Sequence, residues 1–509
     1  FYELLRGVDV THLQCGLIRI VMNRKAIILP ALAAIAALSS CTGDETIAQQ
    51  KTVSAQTDAL MFRPNVGAAT RVAKDYNNST IDQFFLRAAG VFKAPQSASG
   101  ENSAVTNQDV EEGTPVSSFA VTLNSSNSWN LPTTYETDDD WKYGLYWGDR
   151  GSTGRFTGIA PATVREGSYT VAGGNDAQGY EAATDGRAQQ EDIVVAYNEG
   201  GKNEFGNGVP MVFRHVLSRI EFRGVNKDYT NGFEVKVKAI KLVNIKTASS
   251  LSLPTSPTTE SAFSWSSYTP WSAPSAPKWF YSKSGDEVTL NQAAANITFG
   301  DDFYMMPQQL TKADSTTLIL DPASSAATAK QYVSFLIQVK AITSSATADI
   351  LGTANQNNII WPYKKIAADA SLGTIPAAWG WSAADSWTAG KYINKASYEA
   401  VINIDKDEET GVALQTATDN KFDTADFENC TADDYAWAAV PLGETWQPGK
   451  KYIYTLNYSS SGVGLVDPED GVLARGGQNI MDDGPLKLWF TVSVVDWEEV
   501  KETKNLDED

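Results

Sequence analysis

The chain has 509 residues, with 41 Lys+Arg against 61 Asp+Glu for a formal net charge of −20, two histidines and three cysteines. Single hydrophobic cores stop growing near roughly 250–300 residues, so the length predicts two or three folded units, and 42% hydrophobic residues exclude global disorder. The acid excess argues against a nucleic-acid partner, which is held through Lys and Arg on phosphate, and two histidines leave little for metal or triad chemistry.

Residues 1–21 precede Met22 and read as an upstream extension. Residues 22–40 read as an export signal: Arg24-Lys25 is followed by an apolar run from Ala26 to Leu38, too short for the roughly 20 residues that span a bilayer. The run ends in Leu38-Ser39-Ser40-Cys41, which resembles a lipobox and predicts lipidation of Cys41 and an outer-membrane anchor. Processing there would leave Cys430 as the lone thiol and permit no internal disulfide framework.

Residues 41–57 are polar and without periodicity, a flexible tether. Beyond them come short runs of period-two alternation separated by Gly, Pro, Asn and Asp. Phe233, Val235 and Val237 alternate with Glu234, Lys236 and Lys238, and Ile220 and Phe222 are read as continuing the face of Val212 and Val216. Tyr452, Tyr454, Leu456 and Tyr458 form one face of a strand, as do Leu486, Leu488, Phe490, Val492 and Val494. No helical period of any length follows the signal segment. The expectation is an all-β chain with two antiparallel β-sandwich domains in tandem. The Gly/Asn-rich stretch after Tyr197 sets their limits at 58–205 and 206–509, the second with long loops near 247–277 and 367–394.

Chemistry-bearing residues are few. His215 has no second His or paired Cys nearby and reads as a structural strand residue. Cys430 sits among Glu428, Asp433 and Asp434, which disfavour a thiolate. Acidic runs at 138–140, 405–409 and 467–471 offer oxygens to calcium. In the second, Thr410 stands where an EF-hand needs glycine, so these runs are read as solvated turns, and no metal or cofactor is assigned. Trp379, Trp381 and Trp387 in the second long loop are candidates for stacking on a glycan or for core packing. A glycosidase carboxylate pair is a distant third reading, since separation is invisible in sequence.

Several blocks together resemble the fimbrillin family of Bacteroidota, lipoprotein precursors of type V pili, and its Mfa1-like branch in particular. They are Thr70-Arg71-Val72-Ala73 with Asn78 to Phe84; Tyr146-Trp147 with Phe156 and Pro161; Asp192 to Ala196 with Phe213 to Ile220; Phe303 to Gln308; and Trp446 to Tyr454 with a last strand ending in Asp496-Trp497. Asp44-Glu45 after Cys41 is similar to the signal for outer-face lipoproteins. The resemblance implies transthyretin-like sandwiches, no catalysis, and a cell-surface fimbrium built from like subunits. In such subunits a protease cuts after an Arg near the start of the first domain, and a neighbour's strand fills the groove by β-strand addition. The candidate cuts are Arg63, Arg71 and Arg87; Pro64 hinders the first, so Arg71 is preferred and Arg87 comes next. The implied donor is the strand from Leu486 to Val495. The acidic tail Glu498–Asp509 is a poor strand to insert, which leaves shaft, tip and accessory roles open. A host or bacterial surface protein or glycan is a further implied partner, and a surface glycan-binding lipoprotein is the alternative function.

Overall fold

A computed structural model of the chain describes residues 62–66, 83–93, 107–110, 116–123, 129–130, 146–147, 153–175, 185–205, 208–254, 271–313, 330–345, 357–370, 389–402, 423–459, 465–466, 472–473 and 487–496. All lie in the compact unit Asp58–Asp509. The protein is all-β, and nearly all of its strand pairs are antiparallel.

The N-terminal strands form one sheet that closes on itself. Its ring runs β2 (Gln83–Lys93), β4 (Val116–Leu123), β5 (Trp129–Asn130), β1 (Phe62–Val66), β10 (Val209–His215), β9 (Val194–Gly201), β7 (Thr153–Ala160) and back to β2. Two further strands, β3 (Asn107–Val110) and β6 (Tyr146–Trp147), pair with the far end of β2. Closure gives every stave a neighbour on each side, which an open sheet cannot do.

Two more sheets face each other across the main core. One contains β11 (Ser218–Asn226), β14 (Ala295–Asn296), β15 (Phe303–Met305), β22 (Lys450–Ser459) and β25 (Lys487–Asp496). The other contains β8 (Gly167–Thr170), β12 (Phe233–Leu251), β13 (Ser275–Leu290), β16 (Tyr332–Ala341), β17 (Ile359–Trp361), β21 (Ala436–Pro441) and β23 (Leu465–Val466). Phe222 shows how they meet: its ring stacks on Tyr454 of its own sheet at 5.4 Å and meets Phe335 of the facing sheet edge-on at 5.9 Å. Burying each such side chain contributes about 1.5–3 kcal/mol.

The alternation in β12 is as expected from Phe233 to Val237, but the strand then runs on to Leu251. A bulge between Val237 and Ala239 moves the core face to Ile240 and Leu242, because one extra residue inverts a period of two. The loop expected at 247–277 is correspondingly shorter, with strand at both ends. Val212 is half-buried and lies apart from Val216, Ile220 and Phe222, since the chain changes sheets between His215 and Ser218. That change falls past residue 205, which lies inside the hairpin linking β9 to β10.

The two halves are also stitched by an arm. After β7 the chain leaves the ring, adds β8 to the end of β12 and hydrogen-bonds Val171 N–H to the Thr247 carbonyl. Arg187, buried, then chelates Asp185 and donates to the Phe299 and Asp301 carbonyls across 2.8 and 2.7 Å.

A satellite sheet of β18 (Lys364–Ile366), β19 (Tyr392–Ile393), β20 (Phe427–Asn429) and β24 (Val472–Leu473) is covered by the helix Lys395–Ile402. Helical spacing puts Tyr398, Val401 and Ile402 on Ile366, Ile393 and Phe427. This helix is short enough to escape a search for helical period.

Candidate functional site

The stave that distinguishes itself is β1. It runs parallel to β10 from Phe62↔Val209 to Val66↔Phe213 and touches β5 through the single pair Phe62↔Trp129. Its ladder contains Arg63↔Pro210 and Pro64↔Met211, so two of the ten residues have no N–H to donate. Parallel pairing is already slightly weaker per residue than antiparallel pairing. Ring closure therefore depends on a short and hydrogen-bond-poor strand.

The floor beside it is built from β10 packed on β2 and β7. Along β10, Val209, Met211, Phe213 and His215 are buried while Pro210, Val212 and Arg214 are half-buried. Phe213 meets Phe84 of β2 edge-on at 5.2 Å. From the other side, Gly158 of β7 makes room: a Cβ there would lie 2.8 Å from Phe213 Cζ and 3.0 Å from Met211 Cε. At the end of β10, His215 Nδ1 is 2.8 Å from Asp192 Oδ2, with both side chains buried. The histidine thus holds the start of the β9–β10 hairpin, the structural role its strand setting predicts.

The sequence candidates fall on both sides of this stave. Arg63 lies within β1. Arg87 lies within β2, between Ala88↔Phe156 and Leu86↔Gly158 on one side and a bulge against β4 on the other, and it pairs with Glu166 at 2.7 Å. Arg71 lies in sequence between the end of β1 and the start of β2, outside the described residues, as do Cys41, Trp379, Trp381, Trp387 and the acidic runs at 138–140, 405–409 and 467–471. Among the described residues no cluster of His, Cys, Asp and Glu could hold a metal ion. Cys430 is buried, and burial together with Asp434 pushes its thiol well above the ordinary range.

The sheet of β11 and β22 carries an edge strand. β25 pairs with β22 from Lys450↔Asp496 to Ser459↔Lys487, and among the described residues no strand covers its other edge. Val492 packs on the core, but Val494, opposite Tyr452, is 53% exposed.

Sequence reasoning missed a charge chain on this sheet, buried at Arg219, Asp302, Lys451 and Glu221 and half-exposed at Arg223. Arg219 Nε meets Asp302 at 2.6 Å, Lys451 Nζ bridges Asp302 at 3.0 Å and Glu221 at 2.5 Å, and Arg223 closes on Glu221 at 2.5 Å. Burial alone would raise the Glu221 carboxyl, but Arg223 and Lys451 outweigh it and hold the group below the usual range. The one available signal was alternation: Arg219, Glu221 and Arg223 occupy the positions between Ile220 and Phe222.

A fimbrillin-like family model matches residues 103–360, about half of the chain. The chain belongs to the fimbrillin-like family. It is a fimbrial protein of the cell surface, and the role of the family is structural. No curated protein matches the chain. Among solved structures it is similar to a fimbrial protein from Bacteroides vulgatus ATCC 8482, at 10% identity over 86% of this chain and 99% of that one, with a TM-score of 0.34. It is also similar to the C-terminally truncated tip fimbrial protein Mfa3 from Porphyromonas gingivalis, at 12% identity over 85% of this chain and 99% of that one, with a TM-score of 0.26. No described helix of this fimbrillin-like chain is long and apolar enough to cross a membrane.

Proposed function

We propose that the chain is a fimbrial subunit, exported as a lipoprotein acylated at Cys41, which joins a neighbour when cleavage after Arg71 releases β1. The observation that carries this reading is the closed ring with one weak stave. A cut after Arg71 falls between β1 and β2 in sequence, so everything through β1 can leave while β2 stays paired on both sides. A cut after Arg63 would divide β1, and one after Arg87 would divide the most heavily paired strand of the ring. Departure of β1 would unpair the β5 and β10 edges over Met211 and Phe213, and a strand with alternating apolar residues would satisfy both edge and floor.

The strand offered to the next subunit is β25, which among the described residues has one neighbour and an incompletely covered apolar face. Two tandem domains, meeting at Val216-Leu217 where sheet membership changes, form the body of the subunit.

The test is N-terminal sequencing and strand uptake after treatment of purified protein with an Arg-specific protease. A new terminus at Val72, loss of the released segment and capture of a peptide spanning Leu486–Val495 are expected. Cleaved protein that keeps its released segment and binds no strand peptide would sink the reading.

A further inference from the structure

Among the described residues three strand pairs are parallel and the others antiparallel; the parallel ones are β1–β10, β11–β22 and the two-residue β19–β24 pair. Parallel pairing needs long crossovers and is slightly less stable per residue, so thermodynamic stability does not account for its use at the first two places. Their common feature is position. β10 leads into β11 through only Val216 and Leu217, and the ladder from Arg219↔Lys451 to Asn226↔Tyr458 then passes to β22. The two linking residues are buried and pinned: Val216 N–H donates to Ile193, Trp271 Nε1 donates to the Val216 carbonyl at 2.7 Å, and Gly449 N–H donates to the Leu217 carbonyl. A continuous path thus runs from the β1 stave through β10, β11 and β22 to the C-terminal strand.

We infer that this path is a tension-bearing clamp, in which both parallel ladders are loaded in shear. The inference rests on the strand-exchange reading for its biological meaning, but its geometry is a property of the single chain. When the strand beside β10 is drawn from its N-terminal end and β10 is drawn from its C-terminal end by β11, the two strands of a parallel pair are pulled at opposite ends. Every hydrogen bond of the ladder then shares the load. The same holds for β11, drawn at Ser218, and β22, drawn at Ser459. An antiparallel pair at either seam would be pulled at one end and would open bond by bond. The β22–β25 pair is of that second kind, because Asp496 sits beside Lys450, at the end where β11 takes its load. The clamp thus resists while β25 unzips, and a donor strand must enter the groove in the direction of β1 to be held in shear.

Single-molecule pulling of the full chain tests this, since forced rupture reads the unfolding barrier directly. With handles at the two chain ends, an early low-force step should release the chain after Ser459, followed by rupture at several-fold higher force. The second geometry uses the same protein with Cys15→Ser and Cys41→Ser and the handles moved to Lys227→Cys, an exposed residue just past β11, and to Ser460→Cys, the residue that follows β22 in sequence. The β11–β22 ladder is then pulled from one end, and the high-force rupture assigned to it should disappear. Equal rupture forces in the two geometries, or a first step that does not correspond to β25, would overturn the clamp. Neither outcome depends on whether the chain polymerises, so failure of the clamp and failure of strand exchange are separate results.

Discussion

The ring and the C-terminal sandwich solve the same problem differently. The sandwich buries a thick core between two sheets and adds buried ion pairs among Arg219, Asp302, Lys451 and Glu221 and the Arg187 clamp, so no one of its described strands closes it alone. The ring is closed by five residues with two prolines in their ladder. The difference teaches where an assembly step can act without unfolding the subunit. Release of β1 would open one seam of the ring and would touch none of the ladders of the sandwich or its stitching arm.

The largest effect should come from breaking the sandwich at Asp302, which faces both Arg219 and Lys451. Removing one partner of a buried pair costs about 3–5 kcal/mol, because the remaining charge is left without compensation. Asp302→Asn should therefore lower the denaturant midpoint sharply. Should the midpoint stay within error of the parent, the contrast between a robust sandwich and a weak ring would lose its electrostatic basis.

A smaller effect sharpens the other side. Gly158→Ala places a methyl group against Phe213 and Met211, an overpacking change of about 1–3 kcal/mol. Because these two side chains lie on β10, the strand that β1 pairs with, the variant should weaken strand-peptide uptake as well as stability. A variant of normal stability and normal uptake would show that the floor is not read by the incoming strand.

Much of this was legible in the sequence. The strand faces of β22 and the first part of β12 follow directly from alternation, and His215 is the structural residue its setting implies. What escaped was non-local. The bulge after Val237 inverts parity with no residue type to announce it, and ring closure is a property of the β2–β7 pairing between distant segments. The ion-pair chain joins residues 219–223 with 302 and 451, and no local pattern could link them. Arg87 illustrates the converse. Its sequence setting made it a cleavage candidate, and only its two flanking strands reveal how enclosed its backbone is.

The pH dependence should be modest and one-sided. The Glu221 carboxyl is held below the usual range in the folded state, so its contribution is present above the ordinary glutamate value and is lost as pH falls through the depressed one. Acid titration should therefore loosen the sandwich ahead of a Glu221→Gln variant's own, flatter profile in the same window. Parallel profiles for parent and variant would remove Glu221 from the acid response.

The smallest stability effect separates the two preferred cleavage candidates, Arg71 and Arg87. The Arg87–Glu166 pair is more than one-third exposed on both sides, and such pairs contribute about 0–1 kcal/mol. Arg87→Ala should thus leave thermal stability close to the parent and, if the cut follows Arg71, leave the protease fragment pattern unchanged. Arg71→Ala should abolish the cut that frees β1. The pair of variants distinguishes a cut between β1 and β2 in sequence from attack inside a paired strand, because the second requires β2 to part from β4 and β7 before a protease can bind its backbone in extended form. If Arg87→Ala instead removed the cut while Arg71→Ala did not, β2 would have to open first, and the ring rather than β1 alone would be the element that yields.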